Sequence, residues 1–272
     1  MKHIVFIGGG NMGEALIAGL LSSKKWKPSE ITVTDKRPEA LVQLKRKYRV
    51  QVASDNKKAV SRATVVLLAV KPQQMRPVLD EIGPGLRSRQ LVLSIAAGIS
   101  CALIEKGLAP HVPVVRVMPN TPALVGAGAA AIAPGRSAKA AHLKTAEQIL
   151  STVGLVVRVK ESAMDAVTAI SGSGPAYVFY VAEAMKETAL ALGLEPDTAD
   201  QLVRQTILGA GRLLSSSAEE PQELRRRVTS PNGTTEAALQ VMEQGQLKSL
   251  FARALKRAAE RSKELSQEAS KA

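Results

Sequence analysis

Residues 8–13, GGGNMG, place Gly8, Gly10 and Gly13 in a G-x-G-x-x-G pattern. The pattern follows the apolar run KHIVFI and opens the periodic stretch MGEALIAGLL. A helix starting there presents unpaired N–H groups and the positive end of its dipole, and a diphosphate fits against both. Gly8 serves the tight turn, Gly10 the close approach of phosphate, and Gly13 the packing of helix on strand. Glycine-rich turns are common, so the strand–turn–helix context carries the assignment to a dinucleotide. Asp35 ends the second apolar run in TDKR, where a carboxylate accepts from a ribose 2′-hydroxyl and repels a 2′-phosphate. Lys36 and Arg37 beside it argue the opposite way, so NAD and NADP both stay open.

Further polar and small-residue stretches fall at ends of expected elements. AVKP, residues 69–72, closes a strand, and carboxyl ends of parallel strands line a ligand crevice. Lys71 there either neutralises cofactor phosphate or stands in solvent, and Ala96, Ala97 and Gly98 are small enough to let a nicotinamide ring lie close. MPNTPALVGAG, from Met118, is a polar loop stiffened by two prolines, and SGSGPAYVF, from Ser171, is a small-residue turn before a helix. In TSPNGTTEAAL, Ser230, Thr234 and Thr235 offer hydroxyls and N–H groups at a helix start, which suits a substrate carboxylate. None of His3, His111 and His142 belongs to a Ser/His/Asp or metal constellation, so no metal is expected. Tyr177 and Tyr180 lack the context of a Tyr-x-x-x-Lys relay, and Tyr177 reads as helix packing.

The elements that must position these residues alternate in the first half. Apolar, β-branched runs at residues 4–7, 31–34, 65–70, 91–95, 114–117, 128–132 and 155–159 read as strands. Helical stretches at 12–22, 38–47, 73–82, 99–108 and 138–151 separate them. This is the βαβ signature of an open α/β domain. After Glu161 the strands stop, and helices are expected at 177–192, 197–214, 221–228, 234–244 and 249–265. Asp197 reads as the N-cap of the second of these, and Val203, Ile207, Ala210 and Leu214 make one apolar stripe along it. The expected organisation is therefore a Rossmann-type parallel-sheet domain over 1–160 and a helical domain over 161–272, with a polar tail that frays.

Composition narrows the function classes. With 45% apolar and 22% charged residues the chain reads as globular, and 3% aromatic content leaves little for base stacking. The formal charge of +13 includes the run Arg225, Arg226 and Arg227, but no nucleic-acid motif accompanies it. A basic surface that attracts anionic metabolites is the reading adopted, with no nucleic acid or membrane as partner. The single cysteine, Cys101, excludes an internal disulfide and reads as a buried small residue. A cytoplasmic location is expected, since the sequence opens on a strand and holds no apolar run of membrane-spanning length.

FIGGGNMGEA, AVKP, SIAAG, MPNTPALV, DAVTAISGSGPAYVF and VTSPNGTT, in this order, make the chain resemble the pyrroline-5-carboxylate reductases over essentially its whole length. The resemblance implies an N-terminal Rossmann domain and a helical dimerisation domain, with dimers assembling further, commonly to a decamer. It implies hydride transfer from NADPH or NADH to C5 of the protonated imine of Δ1-pyrroline-5-carboxylate, giving proline. By the same resemblance Ile7, Gly8, Gly9, Gly10, Asn11 and Met12 hold the diphosphate, Asp35 faces the adenosine ribose and Asn56 lies near the adenosine. Ala69, Val70 and Lys71 line the cofactor, and Ala97 meets the nicotinamide side. Thr235 hydrogen-bonds the ring nitrogen or carboxylate of the substrate, Thr234 and Gly233 add backbone contacts, and Glu161 borders the proline region. The chain departs from the family in Asp35, where Ser, Thr or Asn is usual, in SPNG for SPGG, and in Arg227, a basic group that could compensate for Asp35 near the cofactor.

Two other readings remain. A β-hydroxyacid or ketopantoate-type dehydrogenase also joins a Rossmann domain to helices, but normally carries a G-x-x-x-K lysine, and Lys186 has the wrong spacing. A non-enzymatic NAD(P)-sensing regulator would not need the SGSGPAY and TSPNGTT loops.

Overall fold

Strands β1 (Ile4–Ile7), β2 (Ile31–Thr34), β3 (Gln51–Ala53), β4 (Val65–Leu68), β5 (Leu91–Ser94), β6 (Val114–Met118), β7 (Gly128–Pro134) and β8 (Gly154–Arg158) form one sheet in the computed structural model, which describes residues 2–271. The strand order is β3-β2-β1-β4-β5-β6-β7-β8. Every neighbouring pair is parallel except β6 and β7. Strands β1, β2, β4 and β5 are buried throughout, and β1 and β4 are accordingly apolar on both faces, while β2 sets Thr32 and Thr34 on the face opposite Ile31 and Val33. Successive residues of β1 feed opposite layers, as the pleat requires. Ile4 and Phe6 join Leu16 and Leu20 on one side, while Val5 and Ile7 join Met75, Leu79 and Ile104 on the other.

The helices of this half are α1 (Asn11–Ser22), α2 (Pro38–Tyr48), α3 (Asn56–Val60), α4 (Met75–Ile82), α5 (Cys101–Lys106), α6 (Ala140–Leu150) and α7 (Met164–Val167). They are followed by α8 (Gly174–Ala191), α9 (Pro196–Ser216), α10 (Pro221–Arg227), α11 (Thr234–Gln244) and α12 (Leu247–Lys271). The anticipated strands and long helices are present with ends moved by a few residues. Three elements were not anticipated: β3, α3 and α7. Each has five residues or fewer, too short for a period to register, and Gln51 of β3 is exposed at the sheet edge.

The chain divides into two compact units. One runs to Ser173 and resumes at Lys256; the other is Gly174–Leu255. The first therefore extends past the expected boundary at 160, for identifiable reasons. Met164 is fully buried with Ala131 and Ala133 of β7. Asn120 Nδ2 donates to the carbonyl of Ser171 at 3.0 Å, and Ser262 Oγ donates to Asp165 Oδ1 at 2.7 Å. The tail expected to fray is helical to Lys271, with Ser262 buried and Ala269 packed against the core layer that includes Ile104 and Val114.

In the second unit α8 packs on α9, and Lys186 Nζ donates to Asp200 Oδ1 at 2.7 Å between them. Glu195, not Asp197, is the N-cap of α9, because Pro196 takes the first helical position and Asp197 falls inside the first turn. Of the expected stripe, Val203 is buried and Ile207 half-buried, while Ala210 and Leu214 are exposed.

Candidate functional site

The glycine turn after β1 has the geometry of a phosphate cradle. Gly8 sits at φ +103, donates its N–H to the carbonyl of Thr34 at 2.8 Å, and lies so close to β4 that a Cβ there would fall 2.5 Å from the Ala69 carbonyl oxygen. A Cβ on Gly13 would stand 2.8 Å from the Gly8 carbonyl oxygen, so this glycine lets α1 close on the turn. In front of Gly10 nothing lies within 4 Å, and no side chain caps the first turn of α1. Uncapped helix N–H groups facing open space fit a diphosphate.

This turn borders a cleft of about 410 Å³ at the carboxyl ends of β1, β2 and β4. The strand order reverses between β1 and β4, and a crevice at such a switch point is where open α/β sheets bind ligands. Ile7, Gly8, Gly10, Asp35 and Asn56 line the cleft together with Ala69, Val70 and Lys71, so most of the anticipated cofactor residues converge. Gly9 and Asn11 border an adjoining hollow of about 570 Å³. Met12 instead turns toward the core, and Ala97 is exposed beyond the end of β5. Sequence reasoning missed Thr34, Ser54 and Gln74 on the cleft wall. Ser54 follows the unanticipated β3, which was the signal lacking.

Asp35 is the most constrained polar group there. Its Oδ2 accepts from the Gly9 N–H at 2.8 Å and from Arg37 Nη2 at 3.1 Å. Its Oδ1 accepts from the Arg37 N–H at 2.9 Å and from Arg37 Nε at 3.0 Å. Burial favours the neutral acid, but these bonds outweigh it and hold the carboxyl below the ordinary range. The Gly9 N–H is thereby committed to Asp35. Asn56 Nδ2 donates to Glu81 Oε2 at 2.8 Å. Arg227, in the second unit, pairs its guanidinium with Glu219 and Glu223.

Glu161 serves a structural network in the first unit. Its Oε1 accepts from the Cys101 N–H at 2.7 Å and lies 3.4 Å from Nη1 of the buried Arg116. Burial, reinforced by the charge of Glu161, pushes the Cys101 thiol up to about 12.

The remaining expected substrate groups lie at the start of α11, in the second unit. Gly233 is the N-cap in extended backbone, its N–H donating to the Ser230 carbonyl at 3.0 Å. Asn232 adopts φ +59, the left-handed conformation that SPNG requires, and donates its N–H to Glu236 Oε2 at 2.7 Å. Thr234 and Thr235 occupy the first two helical positions, and neither side chain caps the helix. Thr235 is half-buried.

Residues 161–265 match the family model described as pyrroline-5-carboxylate reductase dimerisation, and residues 3–98 match one described as NADP oxidoreductase, coenzyme F420-dependent. A pyrroline-5-carboxylate reductase of Pseudomonas aeruginosa is 44% identical over 267 residues, 98% of this chain and 97% of that protein. The chain belongs to the pyrroline-5-carboxylate reductase family. A solved reductase of this family from Coxiella burnetii superposes with TM-score 0.92 at 41% identity, covering 97% of this chain and 98% of the other. One from Plasmodium falciparum, solved with NADP bound, gives 0.86 at 30% identity over 97% and 98%. Among the described residues no helix is long and apolar enough to cross a membrane.

Proposed function

We propose that the chain reduces Δ1-pyrroline-5-carboxylate to proline with NAD(P)H. The observation that carries this reading is likeness to named reductases along the whole chain, at 44% identity over 267 residues. The reduced dinucleotide, when bound, supplies the hydride for C5 of the imine. A protonated carbon–nitrogen double bond accepts hydride readily, so the chain's own task is positional. N–H groups of Gly10, Asn11 and Met12 hold the diphosphate beside Ile7 and Gly8, and Lys71 adds positive charge beside Ala69 and Val70. Asn56 borders the adenosine, and Ala97 leaves room for the reacting ring. Thr235 donates to the substrate, with Ser230, Gly233 and Thr234 completing the carboxylate contacts from the turn before α11. Glu161 borders the substrate region and steadies the start of α5 through the Cys101 N–H.

The helices of Gly174–Leu255 pair two copies in this reading, and the dimers assemble further, into a decamer, in the cytoplasm. The free thiol of Cys101, buried and unbridged, suits that compartment. A spectrophotometric assay tests the activity. Nicotinamide absorbance should fall only when pyrroline-5-carboxylate is added, with one proline formed per cofactor consumed. No consumption with either cofactor across a range of pH overturns the reading.

A further inference from the structure

We infer that Arg37 selects the cofactor, and that Asp35 serves as its holder rather than as an acceptor for ribose hydroxyls. This rests on the reading that the cleft takes a dinucleotide. A carboxylate has about four lone-pair sites. Those of Asp35 are met by the N–H groups of Gly9 and Arg37 and by two N–H groups of the Arg37 guanidinium. A ribose hydroxyl can donate to Asp35 only by displacing one of these.

The guanidinium is in the opposite condition. It spends Nε and one Nη2 hydrogen on Asp35, and its remaining N–H groups have no acceptor among the described residues. The Arg37 side chain is 57% exposed and that of Asp35 only 10%, so an arriving ligand meets the cation first. Arg37 also borders both the cleft and the adjoining hollow. Lys36, on the cleft wall, has no ion pair among the described residues. A neutralised acid, unspent guanidinium donors and a second cation make a place for a 2′-phosphate, which guanidinium binds with charge-assisted hydrogen bonds. The Asp35 that reads as an NAD marker therefore orients the group that recognises NADP.

Titration calorimetry of the full chain with NADP⁺ and with NAD⁺, without substrate, tests this. Wild type should bind NADP⁺ more tightly by about tenfold or more, the size of one charge-assisted pair. Arg37→Ala should lose that margin, while NAD⁺ affinity holds or rises because Asp35 is released to accept from ribose. Arg37→Lys should keep part of the preference, and Arg37→Gln should repeat the Ala result. Circular dichroism melts confirm that each variant is folded. Equal losses for both dinucleotides in the Arg37 variants, or a wild type that prefers NAD⁺, overturn the inference. A folded wild type that binds neither dinucleotide overturns the cofactor reading beneath it. Crossed affinities in a chain that does not reduce pyrroline-5-carboxylate support the selection and overturn only the substrate assignment.

Discussion

Gly8 and Gly10 stand two residues apart, and substitution should affect them in opposite ways. Alanine at Gly8 must adopt φ +103 with its methyl 2.5 Å from the Ala69 carbonyl oxygen, so Gly8→Ala should lower stability by ~1–3 kcal/mol or more in urea unfolding. Gly10→Ala meets nothing within 4 Å and should leave the urea midpoint unchanged. Its methyl instead fills the space a phosphate would enter, so NADP⁺ affinity should fall roughly tenfold or more, the value of one hydrogen bond to a charged group. Thr235→Ala should reduce turnover at saturating cofactor about 10- to 100-fold by the same measure, with cofactor affinity unchanged. Equal losses in turnover and cofactor affinity would remove Thr235 from the substrate site. Cys101, its thiol raised to about 12, should remain unreactive toward a disulfide reagent at pH 8 until the chain is denatured. Asp35 fixes the direction of one pH effect. Its folded-state carboxyl lies below the ordinary value, so the stability it contributes is present above the unfolded-state value and is lost as pH falls through the folded one. The urea midpoint should therefore fall as pH is lowered through that folded-state value, and Asp35→Asn should lack this part of the fall. The residue types of the cradle were legible because a tight turn and a close approach admit glycine almost alone. The Asp35–Arg37 pairing was not, since TDKR names the charges without saying where a side chain turns.

Long elements with one clear period were readable, and elements set by distant contacts were not. β1 and β4 announce themselves as unbroken apolar runs because both faces of the sheet are covered. The reversal at β7 is invisible in GAAAIAP, whose small residues suit either direction; Gly128 and Ala131 state no polarity. The second half of α12 misled for a related reason. SKELSQEASKA is polar, yet Arg261 pairs with Glu264 and Glu268 on its outer side while Ser262 reaches Asp165 on its inner side. Gly98 shows how closely that helix sits, since a Cβ there would lie 3.5 Å from the Ser266 nitrogen. Ser262→Val deprives the half-buried Asp165 of its donor and should cost about 1–3 kcal/mol in urea unfolding. No change in midpoint would show that water replaces the serine at no cost.

Across the whole chain, the second unit leaves large apolar side chains open: Phe179 is 66% exposed, Tyr180 73% and Leu192 80%. These side chains fall within residues 161–265, the span of the dimerisation model, and an apolar surface of this kind is what an obligate interface covers. Phe179→Glu should shift the mass measured by light scattering from dimer or larger toward monomer. An unchanged mass would place the interface elsewhere. The helices were readable from their period, but a stripe such as Val203 to Leu214 does not say whether its partner is the same chain or another copy. The return of the chain at Lys256 has a further consequence for synthesis. Leu265 and Ala269 belong to the same unit as the glycine turn near the opposite end. The nucleotide-holding unit therefore completes its packing only once synthesis has passed residue 256, and truncation after residue 160 removes Met164 from its cluster with Ala131 and Ala133.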